Sequence, residues 1–200
     1  MTPIMEAAQQ EREVSLVNKV RPSFTVFLNN IRNAKYSGIC AEIGVSKGFN
    51  ADMMLKMSNF SFVLVDDYTV NVEYEDAREA AHNKLDKYGK RVTFLELPSV
   101  VAANRVMDGS LDYIYIDASH DYESVKADLK AWWPKLQPNG LFAGHDFCEQ
   151  QVKHAVIEFC NENNVAVYGV ETFLPKGRSN YWNLAQMCDW WIHKGADESN

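Results

Sequence analysis

The sequence has no excess of basic residues, no long apolar run and no closely spaced pair of cysteines. Its 200 residues include 20 Lys and Arg against 27 Asp and Glu, a formal net charge of −7. This balance argues against a nucleic acid or an anionic membrane surface as the main partner. No apolar stretch approaches the roughly 18 residues of a membrane helix, and no basic leader precedes an apolar one. We therefore expect a cytoplasmic protein that binds neither membrane nor nucleic acid.

Two further motifs are lacking. The four cysteines, Cys40, Cys148, Cys160 and Cys188, form no Cys-x-x-Cys motif, so nothing supports a zinc ribbon or a thioredoxin-type site. A dinucleotide-binding G-x-G-x-x-G is also lacking, because Ser46 stands where its second glycine is needed. Apolar residues make up 46% of the chain and aromatic residues 12%, which excludes a disordered chain. At roughly 150 residues per domain, the length favours one domain.

Apolar runs alternate with segments of helical period along most of the chain. The runs predict strands at Ile39–Val45, Phe60–Val65, Val92–Leu97, Leu111–Ile116, Leu141–Ala143, Val165–Val170 and Tyr181–Leu184. Helices are predicted near Ala51–Met57, Glu75–Tyr88, Val100–Met107, Tyr122–Leu136 and Gln151–Glu162. This alternation is typical of a doubly wound, mostly parallel α/β sheet with helices on both faces.

The pattern divides the chain into three segments. Residues 1–37 predict an N-terminal helical cover with two helices, the first over Ile4 to Val20 and the second capped by Ser23. Residues 38–194 form the α/β domain. Residues 195–200 are a polar tail that we expect to fray.

Polar side chains gather where the predicted strands end. Open parallel sheets bind ligands outside the carboxyl ends of their strands. The residues at these ends are Gly44, Ser46, Gly48, Asp66, Asp67, Ser99, Asp117, Ser119, His120, Asp121, Gly144, His145 and Asp146. A purely structural domain has no need of such a group, so the sequence predicts a ligand-binding edge.

Glu42 and Asp66 indicate the kind of ligand. The acid at Glu42, just ahead of the glycine turn, repels phosphate and suits a cation. Asp66, roughly 20 residues after the turn, is placed to accept hydrogen bonds from ribose hydroxyls. A tight turn with a surface Glu42, or Asp66 as a helix cap, explains each residue alone. Together they favour a cationic nucleoside without a pyrophosphate, and S-adenosylmethionine fits both requirements.

Two parts of the sequence carry a family resemblance. The stretch Ala41–Gly48 looks like motif I of the class I S-adenosylmethionine-dependent methyltransferases. Gly109–His120, with the later Pro138–Phe147, resembles the subgroup of macrolide-sugar O-methyltransferases and cephalosporin-hydroxylase-like proteins. The resemblance implies a seven-stranded sheet whose last strand is antiparallel, so that residues 38–194 would be a class I methyltransferase domain.

The resemblance also implies a set of residues that bind the cofactor. These are Glu42, Gly44, Ser46, Gly48, Asp66, Ser99 and Asp117. Glu42 and the two glycines would surround the methionine part of S-adenosylmethionine. Asp66 would hold the ribose, and Ser99 would lie near the adenine.

On the acceptor side, the resemblance implies a metal and a base. Asp117 and Asp146 match two positions that bind a divalent metal in the sugar-methylating relatives, and His145 stands where those relatives have another acid. His120, three residues after Asp117, matches their general base. A divalent cation such as Mg²⁺ or Mn²⁺ lowers the pKa of a hydroxyl, and a neutral imidazole accepts its proton. The sequence thus predicts a metal-assisted O-methyltransferase of a small hydroxylated molecule such as a sugar.

Other interpretations stay open. Asp117 and Asp121 also suit helix N-caps, His120 could simply bond a backbone carbonyl, and His145 could be structural. A fold does not by itself define a function. One alternative is a non-catalytic scaffold that binds the cofactor. Another is an enzyme in which His120, His145 and Asp117 form a two-His, one-carboxylate metal site. The identity of the substrate and the oligomeric state, a homo-oligomer included, are left open.

Overall fold

Strands and helices alternate along the chain. A computed structural model describes residues 21–31, 36–69, 76–169 and 188–195. In these ranges the elements are α1 (Pro22–Asn30), β1 (Ile39–Ile43), α2 (Phe49–Met57), β2 (Ser61–Val65), α3 (Ala77–Leu85), β3 (Val92–Leu95), α4 (Ser99–Ala103), β4 (Leu111–Ile116), α5 (Tyr122–Trp132), β5 (Leu136–Gly144), α6 (Gln150–Asn163), β6 (Val167–Gly169) and β7 (Trp190–His193). Short 3₁₀ segments, Asp86–Arg91 and Trp133–Lys135, follow α3 and α5. None of the described helices is long and apolar enough to cross a membrane.

The strands pair in the order β3-β2-β1-β4-β5-β7-β6. Strands β1 to β5 are parallel, and β7 is antiparallel to both of its neighbours, β5 and β6. The described residues thus confirm a seven-stranded, doubly wound sheet with one antiparallel strand. Chain order reverses between β1 and β4. The carboxyl ends of these two strands therefore flank the crevice in which such sheets bind ligands.

Helices cover both faces of the sheet. All six residues of β4 are buried, and alternate residues point to opposite faces. Ile114 and Ile116 pack with α4, α5 and α6 in one apolar cluster. Tyr113 and Tyr115 pack with α1, α2 and α3 in the other. Burial on both faces explains why the strand runs lack an alternation of apolar and polar residues.

The start of α1 differs from the prediction, because Ser23 lies inside the helix and does not cap it. Arg21 occupies the cap position, and Pro22 takes the first helical position, where its missing N–H costs nothing. Ser23 is fully buried and instead bonds Asp189, through Oγ at 2.7 Å and backbone N at 3.1 Å. The helix predicted over Ile4 to Val20 lies outside the described residues, and the division into cover, domain and tail stays a prediction.

The antiparallel strand β7 lies outside all the predicted strand runs. The predicted last strand, Tyr181–Leu184, lies outside the described residues, whereas β7 begins at Trp190. Trp190 packs directly on β5: a Cβ at Gly144 would overlap its ring, and its Nε1 donates to the carbonyl oxygen of His145 at 3.1 Å. The other boundaries shift less, the largest shifts being the earlier start of β5 and the earlier ends of α4 and α5.

Candidate active site

A cavity of about 1020 Å³ opens along the carboxyl ends of the central strands. Its walls contain all the site residues predicted from the sequence except Gly48, namely Glu42, Gly44, Ser46, Asp66, Ser99, Asp117, His120, His145 and Asp146. They also contain Arg21, Asn50, Tyr68 and Asp128, which sequence reasoning missed. The strand ends therefore meet at one place, as expected for an open α/β sheet.

The turn between β1 and α2 is built from residues in the left-handed conformation: Gly44 (φ 88°), Ser46 (φ 47°) and Gly48 (φ 70°). Both glycines pack closely within the protein, and the approach of a ligand to their backbone stays a prediction. A Cβ on Gly44 would overlap the carbonyl oxygen of Asp117. A Cβ on Gly48 would lie 2.9 Å from the side chain of Leu85. The missing side chain of Gly44 thus lets the ends of β1 and β4 approach each other.

Asp66 holds this turn in place. Its Oδ2 accepts hydrogen bonds from the backbone N of Val45 at 2.9 Å and of Ser46 at 2.8 Å. Its Oδ1 accepts from the backbone N of Tyr68 at 2.9 Å. A carboxylate has about four acceptor positions, so these three bonds leave capacity toward the cavity. The contact of Asp66 with a ribose stays a prediction.

Glu42 is the most deeply buried acid of the cavity wall, with 1% of its surface exposed. Its Oε1 accepts a hydrogen bond from Nδ2 of Asn50 at 2.9 Å. Its Oε2 has no hydrogen-bond partner among the described residues. Burial raises the pKa of Glu42 to about 8, since a carboxylate is poorly solvated there. A cationic group of a ligand would give Oε2 a partner and would lower the pKa of Glu42.

Two carboxylates and two imidazoles meet at the ends of β4 and β5. Nε2 of His120 lies 2.9 Å from Oδ2 of Asp146 and 3.9 Å from Oδ1 of Asp117. Nδ1 of His145 lies 3.0 Å from Oδ1 of Asp146 and 3.6 Å from Oδ1 of Asp117. His145 is buried, whereas 52% of the His120 side chain is exposed. His120 is therefore the imidazole that a molecule in the cavity reaches more easily.

The charges of this group stabilise one another. The carboxylates of Asp117 and Asp146 raise the pKa of His120 to about 10. Burial opposes protonation of His145, but the same two carboxylates raise its pKa to about 10 as well. Conversely, the imidazoles hold the pKa values of Asp117 and Asp146 well below the usual range, although burial acts against this. Both histidines therefore carry a proton at neutral pH, unless another cation binds beside the two carboxylates and favours the neutral imidazoles.

Asp117, His120 and Asp146 form a donor set for a divalent cation. One ligand atom from each lies within 4.8 Å of the others. Two carboxylates and an imidazole suit Mn²⁺ or a similar ion, and carboxylates alone suit Mg²⁺. The predicted set contained His145 as its third member, whereas this grouping contains His120. His145 still faces both carboxylates, so the cluster offers two imidazoles for one position.

Asp121 has a structural role, as one interpretation of the sequence allowed. It is the N-cap of α5, and its Oδ1 accepts a hydrogen bond from the backbone N of Ser124 at 3.0 Å. Asp117 lies before that helix and directs its carboxylate to Arg21 and the two histidines instead. The acids after β4 are thus divided between a helix cap and the cavity.

Arg21 reaches the cavity from the residue before α1. Its Nη2 donates to Oδ2 of Asp117 at 3.2 Å, and its guanidinium carbon lies 5.6 Å from the centre of the Tyr115 ring. Its Nη1 is buried and has no partner in the described part of the chain. No local sequence signal marks this residue, because it precedes Asp117 by 96 positions.

Ser99 and Asp128 line the far side of the cavity. The hydroxyl of Ser99, at the first position of α4, accepts a hydrogen bond from Nε1 of Trp132 at 2.9 Å. Asp128 is 4% exposed, and burial raises its pKa to about 6. This region is where the adenine was expected, and α5 supplies a carboxyl group that the sequence analysis did not single out.

The order of the strands and the glycine turn after β1 define the class of this protein. A sheet of order 3-2-1-4-5-7-6 with an antiparallel seventh strand, and an acidic glycine turn after β1, is the arrangement of the class I S-adenosylmethionine-dependent methyltransferases. The chain belongs to the Methyltransf_24 family, described as a methyltransferase domain, whose family model matches residues 41–147. The expected class is thus confirmed, and the protein is an S-adenosylmethionine-dependent methyltransferase.

Solved structures share this fold at low sequence identity. The Precorrin-6y C5,15-methyltransferase from Geobacter metallireducens GS-15 has a TM-score of 0.63 and 16% identity, over 86% of this chain and 88% of that one. An SAM-dependent O-methyltransferase from Thermotoga maritima has a TM-score of 0.59 and 14% identity, over 89% of this chain and 66% of that one. CalS11, a TDP-rhamnose 3′-O-methyltransferase in calicheamicin biosynthesis, has a TM-score of 0.55 and 16% identity, over 96% of this chain and 95% of that one.

A curated relative matches a shorter stretch. The uncharacterized protein y4gI of Sinorhizobium fredii (strain NBRC 101917 / NGR234) is 35% identical over 69 residues, which are 34% of this chain. The match spans 7% of the length of that protein. It therefore adds nothing on the reaction of this chain.

Proposed function

We propose that the protein transfers the methyl group of S-adenosylmethionine to a hydroxyl oxygen of a small molecule, with a sugar as the first candidate, and that a divalent metal assists the transfer. The observation that carries this proposal is the group of Asp117, His120 and Asp146. It opens on the same cavity as Glu42 and the glycine turn. The acceptor would thus lie next to the methyl donor. The O-methyltransferases among the structural relatives agree with this choice.

At the cofactor end, the polar groups of the cavity suit a cationic nucleoside. The unpaired Oε2 of Glu42 accepts from an ammonium group, and Asp66 offers its remaining capacity to hydroxyls. Ser99 and Asp128, in the wall of the same cavity, would serve as hydrogen-bonding partners of a heterocyclic base. The cofactor supplies a methyl group on a positively charged sulfur, which leaves as a neutral thioether. The chain has to place an oxygen in line with that methyl group and remove the proton of the hydroxyl.

At the acceptor end, Asp117 and Asp146 would hold the metal together with His145, which leaves the imidazole of His120 available as the base. The chemistry that a divalent ion would supply there is that of a Lewis acid, which would lower the pKa of the acceptor hydroxyl. His120 takes the proton at Nε2, because it is the more accessible imidazole. A cation beside the carboxylates also lowers the pKa of His120, through charge repulsion, and so frees its nitrogen to accept a proton.

A methyl-transfer screen tests this function. Purified protein is mixed with S-adenosylmethionine carrying a deuterated methyl group and a panel of sugars, nucleotide sugars and phenols, and products are followed by mass spectrometry. We expect labelled methyl ether on a hydroxylated acceptor, loss of turnover after chelation, and recovery with Mn²⁺ or Mg²⁺. Undiminished turnover in protein shown by metal analysis to be metal-free would contradict metal assistance. Cofactor binding without turnover on any acceptor would favour the non-catalytic scaffold.

Two histidine variants separate the roles within the cluster. His120→Ala should lower turnover by about 10²–10⁴-fold while metal content and cofactor affinity change little. His145→Ala should instead weaken metal binding, and Mn²⁺ more than Mg²⁺, because imidazole favours the softer ion. His154→Ala, on the exposed side of α6, is the control and should change neither. If His120→Ala loses the metal and His145→Ala does not, His120 is the ligand and the base lies elsewhere.

A further inference from the structure

Three buried side-chain polar atoms lack a hydrogen-bond partner among the described residues, and all three belong to the cavity wall. They are Nη1 of Arg21, Oε2 of Glu42 and Oη of Tyr68. Buried polar atoms are nearly always paired, so an unpaired one calls for an explanation. Their concentration around one cavity indicates that a bound molecule supplies the missing partners.

Among the described residues, the guanidinium of Arg21 has a hydrogen-bond partner on one terminal nitrogen but not on the other. Nη2 is bonded to Asp117, and the ring of Tyr115 lies beside the guanidinium carbon. Nη1 remains a charged donor, because a guanidinium keeps its proton in proteins. Nη1 requires a hydrogen-bond acceptor, and an anionic oxygen is the most favourable acceptor for a guanidinium.

Glu42 presents the opposite requirement in the same cavity. Its Oε1 is held by Asn50, and its Oε2 is an acceptor without a donor among the residues described. Arg21 and Glu42 line the same cavity and interact electrostatically, so a single ligand that satisfies both must carry an anionic oxygen and a cationic donor. The zwitterionic head of an α-amino acid has this chemistry, and the methionine half of S-adenosylmethionine carries it.

We propose that Arg21 binds the α-carboxylate of the cofactor's methionine half through Nη1 while Nη2 stays on Asp117. The proposal depends on the cofactor of the family and not on the hydroxyl acceptor or the metal. Arg21 would then contact the cofactor on one side and Asp117, on the acceptor side, on the other. The guanidinium that positions the cofactor also positions Asp117, so that cofactor binding orders the acceptor side.

Ligands that differ by one carboxylate test the proposal without measuring turnover. Affinities for S-adenosylmethionine and for decarboxylated S-adenosylmethionine, which keeps the sulfonium and the ammonium, are determined by calorimetry. We expect the wild type to bind the carboxylate-bearing ligand about 30-fold more tightly or better, as a charge-assisted hydrogen bond to a buried guanidinium implies. In Arg21→Gln this ratio should fall below about threefold, while the affinity for the decarboxylated ligand changes by less than about threefold.

Two further variants keep the test decisive. Arg105→Gln removes an exposed arginine outside the cavity wall and should keep the full ratio. Arg21→Lys keeps the charge but lacks a second nitrogen, so it should lose at least about fivefold of the ratio even if Arg21→Gln fails to fold. A ratio near one in the wild type would overturn the proposal. So would a ratio that stays undiminished in Arg21→Gln or, where that variant does not fold, in Arg21→Lys.

Discussion

At the scale of single residues, the shape of the cavity depends on glycines as much as on the side chains that line it. Gly44 combines a left-handed backbone with a site in which a Cβ would overlap the carbonyl oxygen of Asp117. Gly109 has a similar backbone (φ 65°), but nothing lies within 4 Å of the place its Cβ would take. The two glycines therefore separate the cost of conformation from the cost of a clash.

Gly44→Ala should destabilise the fold by more than about 3 kcal/mol, because backbone atoms of β1 and β4 cannot yield as a flexible side chain can. Gly109→Ala should cost only about 1 kcal/mol, the usual penalty of a left-handed residue with a Cβ. Urea unfolding of both variants gives the two values. Equal losses would mean that conformation alone explains Gly44.

Glu42 should make cofactor binding depend on pH. With a pKa of about 8, its carboxyl is protonated in the ligand-free protein below that pH. An ammonium group favours the carboxylate, so binding releases a proton, and affinity should fall by up to about tenfold per unit between about pH 8 and 6. In protein kept free of metal, His120 and His145, with pKa values of about 10, keep their charge over this range.

Calorimetry with S-adenosylhomocysteine in buffers of different ionisation enthalpy counts the released protons. The matched variant Glu42→Gln should bind more weakly and independently of pH. A flat pH profile in the wild type would show that the ligand leaves Glu42 in its protonated form.

Residues at strand ends could be predicted from the sequence, and the partners that come from elsewhere could not. Asp117 and Asp146 directly follow buried strands, and parallel strands bring their ends together, so their meeting follows from topology. Arg21 and Asn50 sit next to helix starts that could have packed in several ways. Their side chains reach the cavity only because α1 and α2 lie on the same face of the sheet.

At the scale of elements, α1 is fastened to β7 through one buried carboxylate. Asp189, fully buried, accepts hydrogen bonds from the backbone N and the hydroxyl of Ser23, and from the hydroxyl of Tyr115 at 2.9 Å. The hydroxyl of Tyr113 pairs with that of Ser23 at 2.9 Å. A buried polar group of this kind stabilises only while all its members are present.

Asp189→Ala should therefore cost about 2–5 kcal/mol, because it leaves the backbone N–H of Ser23 and the hydroxyl of Tyr115 buried and unpaired. The control is Asp121→Ala, which removes an exposed helix cap and should cost about 1 kcal/mol. Both losses can be read from chemical denaturation. A loss at Asp189 no larger than that at Asp121 would mean that water reaches the buried donors.

The same contact explains why β7 was not predicted from the sequence. The segment from Cys188 to His193 mixes a buried acid with aromatic residues and has no clear alternation. The place of β7 in the sheet depends instead on long-range contacts, namely the pairing of Asp189 with Ser23, 166 residues earlier, and the contact of Trp190 with Gly144.

At the scale of the whole molecule, stability should decrease from the centre of the sheet to its edges. Strand β4 is buried at every residue and pairs on both sides, whereas β3 and β6 are edge strands with partly exposed residues. The general fold could be predicted because alternation of strand and helix determines it. The placement of the outer strands could not be predicted, since β6 is short and, among the described strands, pairs only with β7.

Hydrogen exchange should follow this gradient. Amides of β4 and of β1 should exchange last, by global unfolding, while those of β3 and β6 exchange through local opening. Mass spectrometry of peptides from the exchanged protein reports each strand. Equal protection of β3 and β4 would indicate that the sheet opens only as a unit.

The position of β7 has a consequence for synthesis on the ribosome. It lies between β5 and β6 but follows both in the chain, so a nascent chain that has released β6 still lacks the described strand that pairs β6 with the sheet. Until β7 emerges, β5 presents an unpaired edge and Ser23 lacks Asp189. Unpaired strand edges are prone to association with other chains. The interval between the release of β5 and of β7 is therefore when the growing chain most needs a chaperone.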